Sequence, residues 1–241
     1  MSISGNDIVT DVRSEIIEPS PTFFSDTRML ELINLAQNEY VRKTRVLQSF
    51  AFTSAIMGQT DYPMPSDWLG SEKVFFNYPQ NGIDAWRPLE ATNIEKMSQE
   101  SPNFLSNNTD LLGIPSKYYI IGKTLYIYAK PKVTGLNNIY LYYESSPPAL
   151  NSLNDFLSID DSLYPGIRAY ILAKLWKQDN EDAKSAAEME TFKAEIGQGF
   201  KWKNKRILDG RWKIDVPSFV SFSYNSYNSG AVNGLVNPLN Q

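Results

Sequence analysis

Residues 25–50, SDTRMLELINLAQNEYVRKTRVLQSF, hold the longest clean helical period in the first half of this 241-residue chain. Met29, Ile33, Ala36, Tyr40 and Leu47 recur at spacings of three, four and seven, while Glu31, Asn34, Asn38, Arg42 and Arg45 take the opposite side. Ser25 is placed to cap the helix, because its hydroxyl can accept from a first-turn N–H that has no partner within the helix. Asp26 puts negative charge at the positive end of the helix dipole, and Arg42, Lys43 and Arg45 put positive charge at the other end. The stretch predicts one long helix with a single buried face.

Upstream, Asn6 or Asp7 can cap a short helix with Ile8, Val12, Ile16 and Ile17 on one face, ended by Pro19 and Pro21. Downstream of Phe50 the period shortens to two: Phe50, Phe52, Ser54 and Ile56 alternate with Ala51, Thr53 and Ala55. Further strands are expected at 73–78, 85–89, 117–121, 124–129 and 138–143, with Asn81-Gly82 as a hairpin turn and a brief helix at 94–100. Helical character returns near Leu163, with Asp160, Asp161 and Ser162 able to cap and Pro165 in the first turn. Ile167, Ile171, Leu172, Leu175 and Trp176 make its apolar stripe. After a break at Asp179-Asn180, a second helix is expected over 181–196, with Ala183, Ala187, Phe192 and Ile196 inward and Gly197 and Gly199 as its stop.

The order helix-helix, sheet, helix-helix predicts an α+β fold: a bundle of about four helices from 1–50 and 155–200, with an antiparallel β module inserted at 51–150. Residues 201–213, KWKNKRILDGRWK, carry six Lys or Arg against one Asp. They read as a basic connector. Residues 214–241 carry one charge, Asp215, in a run of Ser, Asn, Tyr, Phe and Gly that cannot build a core alone. An extended C-terminal arm ordered against another chain, at a sheet edge or along a groove, is the expectation.

The composition narrows the chemistry. The chain has no Cys and no His, so Ser-His-Asp and Cys-His arrangements, disulfides and zinc-thiolate sites are excluded. The net charge of -4 argues against a general polyanion binder, although a local basic patch remains. The opening MSISGNDIVTD lacks a basic region followed by an apolar run, and no stretch approaches a membrane span, so a cytosol-like compartment is expected unless the chain leaves inside a larger particle. Asp155, Asp160 and Asp161 lack the Gly and terminal Glu of a calcium loop and read as caps. No catalytic, metal or cofactor site is expected, and the chain reads as a non-enzyme.

Three functions compete. Lys201, Lys203, Lys205, Arg206 and Arg211, with Trp202 and Trp212 interleaved, can dock nucleic acid or protein. The tyrosines at 118, 119, 126, 128, 140, 142 and 143 suit a sheet with one buried and one wet face, and alternatively a sugar-binding platform. The third is structural assembly, with Trp212, Phe219, Phe222, Tyr224, Tyr227 and Leu235 of the arm gripping a partner.

The ordered strings INLAQNEYVRKTRVL, GQTDYPMPSDWLGSEKV, RPLEATNIEKM, IPSKYYIIGKTLYIYAKP, IYLYYESSPPAL and IRAYILAKLWKQDNEDAKSAAEMETF cover most of 25–196. Together they resemble the head-to-tail connector or adaptor proteins of tailed bacteriophages. The resemblance implies a virion protein assembled in the host cytoplasm, forming a dodecameric ring with copies of itself at the head-tail junction. Its neighbours would be the portal protein and a downstream tail or second ring protein. DNA would pass through its lumen without sequence-specific binding, and no membrane is involved. The family supplies no catalytic residues to carry over.

Overall fold

The computed structural model describes residues 3–17, 23–79, 83–104 and 111–208. The α-helices among these residues are α1 (Gly5–Glu15), α2 (Asp26–Thr44), α3 (Ile94–Glu100), α4 (Tyr164–Gln178) and α5 (Asp182–Leu208). The strands are β1 (Gln48–Ala55), β2 (Asp61–Pro63), β3 (Trp68–Asn77), β4 (Trp86–Pro88), β5 (Glu90–Ala91), β6 (Leu112–Gly113), β7 (Lys117–Ile121), β8 (Thr124–Tyr128), β9 (Lys130–Pro131) and β10 (Gly135–Ser145).

Helix α2 forms as its sequence dictates. Ser25 accepts from the Arg28 N–H, Asp26 lies in the first turn, and Met29, Ile33, Ala36 and Tyr40 are buried. The helix stops at Thr44 because Arg45 takes a left-handed φ of 54°, so Leu47 lies beyond its end. Asn34, expected on the solvent side, instead bonds the backbone of Leu150 twice: its amide donates to the carbonyl at 2.9 Å and its oxygen accepts the N–H at 2.8 Å. Gln37 is also buried and donates to the Pro148 carbonyl. These amides sit inside because they tie down the chain returning from the sheets, whose backbone groups need partners.

The cap of α1 is Ser4, two residues before Asn6 and three before Asp7, the expected caps. Its hydroxyl accepts from the Asp7 N–H while the Asp7 carboxylate accepts from Ser4, a reciprocal capping box. Hydrogen bonds from Ser4, side chain first and backbone second, hold the Asp7 carboxyl below its usual range. Ile8 and Val12 are buried, but Ile17 turns out at 88% exposure because α1 ends at Glu15. The expected stops Pro19 and Pro21 lie outside the described residues.

Helices α1, α2, α4 and α5 share one hydrophobic core. The expected end of the last helix is wrong: α5 continues through Gly197 and Gly199 to Leu208. Gly199 does not break it, because the position serves close packing. A Cβ there would stand 2.7 Å from the Tyr40 hydroxyl and 2.8 Å from Thr44. Gly166 on α4 is the matching notch, where a Cβ would stand 2.5 Å from Tyr40 Cε2. The Tyr40 hydroxyl donates to the Glu195 carbonyl at 3.1 Å. Ala183 and Ala187 are exposed rather than inward. The face of α5 turned to the core runs instead through Ser185, Met189, Phe192, Ile196, Gly199 and Trp202.

The strands build two main sheets, ordered β1-β10-β3-β4 and β2-β8-β7-β5, whose inner faces pack through Val74, Phe76, Ile139 and Leu141 against Tyr62, Tyr118, Leu125 and Ile127. Pairing is not wholly antiparallel as expected, since β5 runs parallel to β7 and β6 parallel to β9. The hairpin at Asn81-Gly82 falls outside the described residues. The outer face of the first sheet is lined by aromatic rings rather than polar groups. Helix α3, capped by Asn93, lays Met97 against Tyr119 on the outside of the second sheet, with Tyr126 and Tyr128 alongside.

Gly166→Ala is expected to cost about 1–3 kcal/mol by overpacking against Tyr40, outweighing the roughly 1 kcal/mol that Ala gains over Gly in a helix. Urea denaturation measures it, and a Tyr40→Leu background should remove most of the penalty. A second expectation concerns Glu188, whose carboxyl is pushed up by burial first, with Glu15 adding to the rise and Arg168 opposing it. Its folded pKa lies above the unfolded one, so stability is full below the unfolded value and falls as pH climbs through the folded value. Glu188→Gln should therefore melt higher than wild type at neutral pH, with the two curves converging in acid.

Candidate functional site

The carboxylates singled out in the sequence are spent on the chain itself. Asp155 accepts the N–H groups of Asn151 and Ser152, Asp160 accepts the Ser162 N–H and hydroxyl, and Asp161 accepts the Ile3 N–H. Among the described residues no group of three His, Cys, Asp or Glu is placed to hold a metal ion. An open cleft of about 540 Å³ lies where the sheets meet the helices, lined by Leu47, Ser49, Asp67, Ser146 and Pro147 among others. Its carboxylate, Asp67, already accepts from the Tyr143 hydroxyl at 2.9 Å. The cleft therefore offers hydroxyl groups beside one carboxylate, which already holds a phenol.

The tyrosines do not come together as one platform. Tyr118 and Tyr143 point into the core between the sheets; burial, with Glu72 second, pushes the Tyr118 phenol up to about 12, and its hydroxyl donates to the Glu72 carbonyl. Tyr119 stacks on Tyr126 with ring centroids 5.0 Å apart, beside α3. Tyr140 and Tyr142 belong to the other sheet. A sugar ring would find only fragments of the surface that the sequence suggested.

The basic stretch is divided as well. Lys201 is exposed on α5, Trp202 packs half-buried on the helical core, and Lys203 pairs with Glu144 of β10. Glu144 is almost wholly buried, so this ion pair ties the end of α5 to the sheet. Lys205 and Arg206 lie on the last turns of α5. Arg211, Trp212, Phe219, Phe222, Tyr224, Tyr227 and Leu235 lie outside the described residues. Trp202 is thus committed to packing, which takes away one of the two rings that the nucleic-acid reading would stack on bases.

What the sequence reading missed is the outer face of the four-stranded sheet. Phe52 pairs with Tyr140 and Phe75 also pairs with Tyr140, while Trp86 on β4 closes on Phe52. The rings of Phe50, Phe52, Phe75 and Trp86 surround Tyr140 with centroids 5.0–6.1 Å away. Phe50 is 44% exposed, and Phe52, Phe75 and Trp86 are half-buried. The alternation Phe50-Ala51-Phe52 held the signal: the small residues Ala51 and Ala55 face the inner core, and the large rings face out.

The geometry offers surfaces for contact, and the carboxylates of Asp67, Glu144, Asp155, Asp160 and Asp161 are each held by a partner within the chain. A family model described as SU10 adaptor protein matches residues 4–212, and the chain belongs to that family of bacteriophage structural adaptors. It is accordingly a virion component that acts by contact with other virion proteins. No curated protein matches the chain. Among the described residues no helix is long and apolar enough to cross a membrane.

Lys203→Met should leave the buried Glu144 carboxylate without its cation and cost about 3–5 kcal/mol, the scale for breaking a buried pair. Replacing both, Lys203→Met with Glu144→Leu, should recover most of the loss. Chemical denaturation of the two variants decides between this tie and an idle surface pair, for which neither change would register.

Proposed function

We propose that copies of this chain close a dodecameric ring at the head-tail junction of a phage particle, below the portal protein and above a downstream tail or second ring protein. The observation that carries this reading is the adaptor family match, which runs through both the helical core and the sheets and ends at residue 212. A heterologous contact repeated about an axis closes such a ring without further symmetry. DNA passes through the lumen without sequence-specific contacts, consistent with the net charge of -4.

In this reading the C-terminal arm grips the portal or a neighbouring copy through Trp212, Phe219, Phe222, Tyr224, Tyr227 and Leu235. Lys201, Lys205, Arg206 and Arg211 supply charge beside it. Each large side chain fully buried stabilises by about 1.5–3 kcal/mol before the cost of ordering the arm is subtracted. Repetition around the ring multiplies a modest grip into a firm one.

The test is the mass of the purified full-length chain, alone and mixed with portal protein, repeated with residues 214–241 deleted. A ring-sized complex with portal that weakens at least tenfold on deletion is the expected result. A chain that stays monomeric and ignores the portal at high concentration would overturn the proposal.

A further inference from the structure

The aromatic face of the four-stranded sheet has an asymmetry that its partner sheet lacks. The second sheet is covered outside by α3, but no helix of the described residues lies over Phe50, Phe52 and Trp86. Two buried polar atoms on this face, the Tyr140 hydroxyl and Trp86 Nε1, find no hydrogen-bond partner among the described residues. Tyr140 is only 2% exposed, so water cannot readily serve it. The face thus lacks both an apolar cover and acceptors for two donors.

The chain itself leads back to this place. On β10, Glu144 and Tyr140 share one side of the sheet, four residues or about 14 Å apart along the strand. Lys203 holds the end of α5 to Glu144, and the helix finishes five residues later at Leu208. A further 33 residues follow. Phe219 stands 11 residues past that end, a reach of up to about 36 Å when extended, more than twice what Tyr140 requires.

The composition of that segment suits the face. Residues 214–241 carry a single charge, Asp215, together with Phe219, Phe222, Tyr224 and Tyr227. They also hold five Ser and five Asn, which make the segment polar without charge and so compatible with a face of partly exposed rings. On the sheet side, the buried acid Glu144 is already paired with Lys203, so the surface offers the segment aromatic rings without repulsion.

We propose that in the free chain the outer aromatic face of the four-stranded sheet, centred on Tyr140, is the seat of the chain's own C-terminal segment, residues 214–241. This seating shields an apolar patch that would otherwise promote non-specific association. It concerns the chain before assembly and stands apart from whether the arm later grips a portal.

The test uses the full chain at concentrations where it sediments as a monomer. Limited chymotrypsin digestion should cut at Phe219, Phe222, Tyr224 and Tyr227 at least tenfold more slowly in wild type than in Phe50→Asp. Phe50 is chosen because its ring is already partly exposed, and an unchanged thermal melt of the variant cut back to residue 213 shows that the sheet still folds. Equal cutting rates in the two full chains would overturn the proposal. As a second measurement independent of that variant, a benzophenone photo-cross-linker placed at position 50 of an equal mixture of heavy- and light-isotope chains should join residues 214–241 of the same chain. Cross-links elsewhere, or joining heavy to light chains, would overturn it by assigning the face to another occupant or to a second copy.

Discussion

Tyr40 is the contact on which the helical half depends. Its ring is wholly buried on α2 and occupies two notches, Gly166 on α4 and Gly199 on α5, while its hydroxyl donates to the Glu195 carbonyl. Burial, with Glu195 second, pushes the phenol up to about 12, so it remains a donor across the physiological range. One side chain therefore sets the spacing of three helices. The other restraints grade outward from it: Phe192 packs on Tyr40 and Tyr170, and Arg168 and Tyr164 of α4 both bond Asp11 of α1. Burial raises the Tyr164 phenol, with the Asp11 hydrogen bond second. That keeps the hydroxyl protonated, as its donation to Asp11 requires.

The same arrangement explains why part of the fold was legible in the sequence and part was not. Helix α2 carried agreeing signals of period, cap and charge, and it formed where those signals placed it. The glycines of α5 were misread because a helical glycine looks alike whether it ends a helix or admits a neighbour. Only the presence of Tyr40 across the interface separates the two. Asn34 misled for a related reason: an amide has no preferred side until a backbone that needs it, here Leu150, arrives from more than a hundred residues away. The strands were recognisable from alternation, but alternation does not say which side is inside. In β1 the small residues won the interior because the opposing sheet supplies the bulk, and the phenylalanines were left outside.

The surfaces divide according to how their polar groups are satisfied. Carboxylates near the helix starts hold backbone N–H groups, Tyr119 and Tyr126 of the second sheet stack beside α3, and Lys203 of the last helix is spent on Glu144. These groups hold the chain's own shape, as befits a structural adaptor. The unspent capacity is concentrated on one aromatic sheet face, close to where the last helix ends.

The long separation between Tyr40 and its notches also imposes an order of events during synthesis. About 126 residues lie between Tyr40 and Gly166, and a ribosome adding roughly 5–20 residues per second needs about 6–25 s to make them. The sheets are complete once Ser145 has emerged, so they can settle before α4 leaves the ribosome. Throughout that interval the stripe of Met29, Leu32, Ile33 and Tyr40 has no partner helix from the C-terminal half. The first helices made are thus among the last to reach their final packing, and their shelter in the meantime falls to the nascent chain and to cellular chaperones.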